Sequence, residues 1–103
     1  MRLDYLLFEA SEGDDGIGLF EAMADVPLAR AAAVQAEIDA VLAWAQRHFG
    51  SARGPVEEGG EWDAHLETDD TLAGRRSFTF SVVGAPGFCA AFAQAFDTDA
   101  FEA

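Results

Sequence analysis

A regular alternation of apolar and polar residues predicts a hairpin in the second half of the chain. Over residues 61–68 the apolar side chains are Trp62, Ala64 and Leu66, and charged residues lie between them. Residues 75–83 alternate in the same way, with Phe78, Phe80 and Val82 opposite serine and threonine. Side chains alternate across a strand, so each run is typical of a strand that buries one face. The intervening segment 69–74 is predicted to form the turn.

A second hairpin is predicted at the start of the chain. Residues 2–10 are rich in aliphatic and aromatic side chains, and residues 17–26 form another apolar run. Between them lie the glycines and aspartates of residues 12–16, which are typical of a turn. The run 17–26 also permits a loop followed by an early helix start.

Two further segments predict helices. The first follows Pro27, and its apolar residues recur three and four apart from Ala31 to Phe49. Gly50 is expected to end this helix as a left-handed cap. The second helix begins at Pro86, since proline suits a first helical turn, and its aromatic residues are Phe88, Phe92 and Phe96.

The element order is therefore strand, strand, helix, strand, strand, helix. Residues 1–50 and 60–97 each contain a hairpin and a helix that starts at a proline, which suggests a pseudo-repeat. Antiparallel hairpins and helices with one apolar stripe are accommodated by one sheet with both helices on one face. We predict a single α+β domain over residues 1–103: a two-layer ββαββα sandwich with a four-stranded, mostly antiparallel sheet. Residues 97–103 form an acidic tail, in which Phe101 is a candidate for docking on the core.

The charge balance narrows the range of partners. Nineteen acidic residues and six basic ones give a net charge of −13 at pH 7. A negative field of this size repels nucleic-acid phosphates and anionic membranes, so we expect neither as a partner. The same field favours encounter with a basic protein. Acidity that only keeps the protein soluble gives the same composition.

The sequence also predicts a cytoplasmic location. No run approaches the ~20 apolar residues of a membrane span, and the N-terminal residues lack the apolar region of a signal peptide. The lone Cys89 cannot form an intrachain disulfide. It lies beside Phe88 and Phe92, so we expect a buried thiol and not a nucleophile.

The first strand predicts a contact with another protein molecule, because it is apolar on both sides. If one side faces the helices, Tyr5 and Leu7 lie outside, and if the other does, Leu6 and Phe8 lie outside. A strand covered on both faces has this pattern. A second copy of the chain is the simplest cover, because two-fold homodimers are the commonest soluble oligomers. Tyr5 and Leu7 are therefore candidate contact residues. Alternatively, they lie singly on the surface.

Trp44 and His48 are further candidate contact residues, one turn apart at the border of the first helix's apolar stripe. Tryptophan at such a border packs its ring against the core, and it is also favoured at interfaces.

Asp63, His65 and Glu67 are the candidate metal ligands. Residues two apart on a strand share a face at ~7 Å intervals. Carboxylates beside an imidazole are typical of metal sites and of acid–base pairs. A solvated strand face produces the same pattern. The chain has neither a G-x-S-x-G motif nor a phosphate-binding glycine motif, so no catalytic residue and no cofactor is predicted.

The leading hypothesis is a small, acidic cytoplasmic binding module that self-associates and meets a basic protein. The first alternative is a small enzyme or metal-binding domain that uses the strand face of Asp63, His65 and Glu67. Glu9 or Glu21 from the neighbouring hairpin would complete its site. The second alternative is a structural homodimer without a ligand.

Overall fold

The computed structural model describes residues 3–13, 15–55, 58–71 and 73–96. These residues form four strands and two α-helices, with short 3-10 turns on either side of the first helix. The elements are β1 (Glu9–Glu12), β2 (Gly18–Pro27), α1 (Ala31–Phe49), β3 (Trp62–Thr71), β4 (Arg75–Gly84) and α2 (Pro86–Ala95).

The strands form one antiparallel sheet in the order β1-β2-β4-β3. β4 pairs with β2 along one edge and with β3 along the other, and all ten of its residues take part. β1 pairs with only the first four residues of β2. The predicted α+β class and the ββαββα order are confirmed.

Both helices pack on the same face of the sheet and enclose one core. Sheet residues Phe20, Phe80 and Trp62 are at most 1% exposed. On the helix side, Phe92 of α2 lies 4.3 Å from Phe20 between ring centroids, and Phe88 stacks on Trp62 at 5.6 Å. Gly84 allows this close approach, since a Cβ at that position would overlap the Phe88 ring. The predicted two-layer sandwich is therefore confirmed.

The chain before β1 departs from the prediction. A strand was expected over residues 2–10, but its described part bends at Asp4 and Tyr5 and belongs to no strand as far as Phe8. The carboxylate of Glu37 on α1 accepts the backbone N–H groups of Asp4, Tyr5 and Leu6 at 2.6–3.2 Å. This carboxylate holds the segment on the helix side, where Leu6 is buried.

The ends of α1 also differ from the prediction. β2 runs through Pro27, and a 3-10 turn over Leu28–Arg30 precedes the helix. Gly50 has φ −39° and ψ −65°, so the expected left-handed cap is wrong. The chain continues in the right-handed sense through a second 3-10 turn at Gly50–Ala52, and no reversal is needed there.

The predicted turns and the second helix agree with the structure. Gly16 has φ +80° in the first turn, a conformation that glycine adopts without strain. The second hairpin is longer than expected, because β3 continues to Thr71. α2 begins at Pro86, as predicted. The expected tail 97–103, with Phe101, lies outside the described residues.

Candidate functional site

One face of the sheet is not covered by either helix. The odd-numbered residues of all four strands point to this side, because the even-numbered ones, such as Phe20 and Phe80, face the core. We call the surface formed by these odd-numbered residues the open face.

Apolar side chains lie on the β2 side of the open face. Met23 is 69% exposed and Leu19 is 37% exposed. Leu19 borders a shallow depression of about 130 Å³, whose lining includes His65, Ser81 and Val83. The central strand β4 contributes Thr79 beside Met23 in register. An exposed methionine among short polar side chains is suited to contact with varied apolar groups.

Carboxylates surround these apolar residues, and only some have a basic partner. Asp25 pairs with Arg75 at 2.9 Å, and Asp63 pairs with Arg53 at 3.1 Å. Glu9 lies directly opposite Glu21 in the β1–β2 register. In the part of the chain that the structure describes, neither glutamate forms an ion pair. Like charges at directly opposite positions repel, so this pair favours a cationic group above it.

The predicted metal ligands share the open face, as expected, but Asp63 has different hydrogen-bond partners from His65 and Glu67. The carboxylate of Asp63 contacts Arg53 and also accepts the backbone N–H of Ala64 at 2.9 Å. His65 Nε2 lies 3.1 Å from Glu67 Oε1, and both side chains are about 70% exposed. Among the described residues no group of three or more His, Cys, Asp or Glu side chains has an arrangement that would hold a metal ion. Metal binding by these three residues stays a prediction.

The predicted contact residues in the first segment do not lie on the open face. Tyr5 is half-buried and packs against the core, whereas Leu7 is 83% exposed. Both precede β1, which starts at Glu9. Tyr5 is therefore not exposed on the outer side of the sheet as expected, whereas Leu7 is exposed as expected but belongs to no strand. Contact of either residue with another molecule stays a prediction.

The candidates on α1 lie on the helix layer, away from the open face. Trp44 is 8% exposed, and its ring lies against Phe88, Phe92 and Phe96 at centroid distances of 5.2–5.9 Å. His48 is exposed, with its ring 5.3 Å from that of Trp44. A cleft of about 330 Å³ between α1 and α2 has these two side chains in its lining. Trp44 is thus mainly a core residue.

Cys89 is buried, in agreement with the expectation of a core thiol. Its Sγ donates to the carbonyl oxygen of Gly84 at 3.2 Å. Burial raises the pKa of the Cys89 thiol. A thiol with a raised pKa contains less of the reactive thiolate, so the environment of Cys89 disfavours nucleophilic chemistry.

Met23 was not among the residues that the sequence singled out, and Glu21 was named only as an additional residue for the site of Asp63, His65 and Glu67, from which β4 separates it. The alternation that places Met23 and Glu21 on one face was present in the sequence. Over residues 18–26 the even positions hold Gly, Phe, Ala, Ala and Val, and the odd positions hold Leu, Glu, Met and Asp. Without the strand order, nothing identified which of the alternating rows was left uncovered.

No protein-family model matches the chain, and no curated protein or solved structure is significantly similar to it. Within the described ranges, neither helix has the length and apolar character that a bilayer span requires.

Proposed function

We propose that the protein is a cytoplasmic binding module that docks a basic protein on the open face. One observation carries this proposal: Met23 is 69% exposed on a sheet face that also bears Glu21 and Asp25. Apolar residues bordered by polar and charged groups are the arrangement of protein interfaces. A basic partner supplies the opposite charge, which accelerates encounter and fixes orientation.

The Glu9–Glu21 pair supports a basic partner over a second copy of the chain. In a two-fold dimer the same patch is used by both subunits. Contact between two open faces would therefore bring together two surfaces that both carry carboxylates without an ion pair among the described residues. Like-charge juxtaposition of this kind costs several kcal/mol, by the order of magnitude found at interfaces. A lysine or arginine from a partner relieves the same repulsion.

A structural homodimer is the second candidate, and the exposure of Leu7 supports it. This side chain is 83% exposed and belongs to the segment that precedes β1. We propose that, if the chain self-associates, Leu7 is in the contact. Substitution Leu7→Ser then shifts the sedimentation coefficient at micromolar concentration toward that of one chain, while an unchanged coefficient contradicts this role.

The test of the proposed function uses a peptide of about ten residues in which Arg and Val alternate, a length typical of strands. Its affinity is measured by fluorescence anisotropy at low salt. The variant Glu9→Gln/Glu21→Gln/Glu67→Gln is expected to bind about tenfold more weakly, because each lost ion pair contributes about 0.2–1 kcal/mol.

The matched control is Asp4→Asn/Asp39→Asn/Glu58→Gln, which removes the same number of negative charges from exposed positions outside the strands. This control should retain most of the affinity. If both variants lose affinity equally, the binding is a response to net charge, and the proposal is wrong. Absence of measurable binding to the unsubstituted protein also contradicts it.

A further inference from the structure

The edge of the sheet at β2 is only partly covered. β1 pairs with Gly18–Glu21, whereas β4 pairs with all ten residues of β2. Beyond Glu21, residues 22–27 have no neighbouring strand on the β1 side within the described part of the chain. The segment that would have continued β1 is instead held on α1 by the Glu37 carboxylate.

The backbone groups at this edge have a defined direction. Gly13 N–H donates to the carbonyl oxygen of Ile17 at 2.9 Å, on the β1 side. Leu28 N–H donates to the carbonyl oxygen of Gly74 at 3.1 Å, on the β4 side. Along an antiparallel strand the two directions alternate. The odd-numbered residues of β2 therefore direct their N–H and C=O groups toward the β1 side.

Met23 and Asp25 consequently present their backbone groups at the uncovered edge. The carbonyl oxygen of Asp25 accepts a hydrogen bond from Arg75 Nη2 at 2.9 Å. No described residue bonds the N–H or C=O of Met23. A strand edge with such groups is a template for a further strand.

The opposite edge of the sheet, at β3, is better protected. The backbone N–H and C=O groups of its even-numbered residues point away from β4, and Gly54 N–H donates to the carbonyl oxygen of Trp62 at 2.9 Å. The next outward N–H, that of Ala64, is bonded by the Asp63 carboxylate. Farther along, Asp69 and Asp70 give both faces of the strand a charge, which discourages pairing. On β2, Asp25 is the only charged residue over positions 22–27, and the other residues there are apolar.

We infer that a basic, extended segment of the partner adds to the β2 edge at Met23–Pro27 as an antiparallel strand. This inference rests on the proposed function and specifies how the partner is held. Charge complementarity selects a basic segment, because side chains of the added strand on the open face lie near Glu21, which forms no ion pair among the described residues.

The geometry assigns a role to each residue of the alternating Arg–Val peptide. Residues directly opposite Met23 and Asp25 point their own N–H groups at β2 and place their side chains on the open face. Arginines occupy these positions, since a slip by one residue would move them away from the carboxylates. The valine N–H groups then point to solvent.

Two N-methylated isomers of the peptide test this arrangement. Methylation of the arginine backbone nitrogens removes the donors that face β2, and we expect affinity to fall at least about tenfold, as for loss of two or more hydrogen bonds. Methylation of the valine nitrogens, with the same number of methyl groups, should leave affinity within about twofold. Hydrogen exchange of the Met23 amide should slow when the unmethylated peptide binds.

The outcomes separate the two proposals. If both isomers bind equally and the carboxylate variant still loses affinity, the open face binds basic partners and strand addition is wrong. If the carboxylate variant and its control behave alike, the proposed function is wrong as well. If the unsubstituted protein is a dimer that the peptide dissociates, the edge belongs to a second copy, and the inference of a basic segment is overturned.

Discussion

The two faces of this sheet come from the same four strands but have opposite physical characters. On β2, Phe20 is fully buried beneath α2, while Met23, three residues later, is 69% exposed. The covered face is aromatic, with rings in contact across the two layers. The open face combines two exposed apolar side chains with carboxylates. The comparison shows that buried and exposed residues alternate along a single strand, so that stability depends on one set and the proposed binding on the other.

Alanine substitutions on β2 give the largest expected contrast between the faces. Phe20→Ala removes a fully buried ring and should lower the free energy of unfolding by about 3–5 kcal/mol. Met23→Ala on the same strand should change it by no more than about 0.5 kcal/mol, since exposed substitutions seldom do more. Urea denaturation followed by tryptophan fluorescence measures both. A similar loss in both variants would mean that the open face is covered in solution.

Much of this division was predictable from the sequence. The alternation over residues 61–68 and 75–83 correctly identified the inward positions Trp62, Phe78 and Phe80. The helix that starts at Pro86 was likewise defined by a local signal. Local patterns succeed here because strand alternation and helix initiation depend on neighbouring residues.

The N-terminal segment was not predictable in the same way. Its apolar residues suit a strand, but their backbone N–H groups bond Glu37, more than thirty positions away in the sequence. A contact at that distance leaves no periodic signal. The same segment would have lengthened β1 and covered the edge of β2 if it had paired as a strand. The predicted pseudo-repeat of residues 1–50 and 60–97 stays a prediction.

The candidate metal residues show the other limit of sequence reasoning. Alternation correctly placed Asp63, His65 and Glu67 on one face. It could not identify Arg53, which arrives from the preceding loop and pairs with Asp63. Side chains from separate elements are brought together by the fold, so their pairing cannot be read from spacing along one strand.

Substitutions in the Glu9–Glu21 pair should have a smaller effect on the free energy of unfolding, and they test the charge of the open face. Replacing either residue with Gln should raise the free energy of unfolding by about 0.2–1 kcal/mol, because directly opposite like charges destabilise a strand pair. The second substitution should then add little. A double-mutant cycle measures this coupling, and about 1 M salt should reduce it, since the Debye length falls to about 3 Å. Additive effects of the two substitutions would exclude the repulsion.

The smallest expected effect concerns an ion pair near the tip of the second hairpin. Asp70 lies 2.5 Å from Arg76, on the strand side opposite to the open face. The hydrogen bond from Arg76 lowers the pKa of the Asp70 carboxyl, and desolvation opposes this only in part. The folded state therefore binds the proton less readily than the unfolded state. The contribution of the Asp70–Arg76 ion pair to stability is present when the pH is above the unfolded-state pKa of about 3.9. It is lost as the pH falls through the lower pKa of the folded state.

Asp70→Asn should accordingly cause a slight loss of stability at neutral pH that vanishes in acid. The effect is slight because both side chains are solvated and surface ion pairs contribute little. Asp69→Asn is the matched control: it changes the neighbouring carboxylate, which has no ion pair among the described residues and lies on the open face. Urea denaturation from neutral to strongly acidic pH measures both variants. If Asp69→Asn shows the larger acid-sensitive loss, the compensated charge lies on the open face, and the contrast drawn between the two faces is wrong.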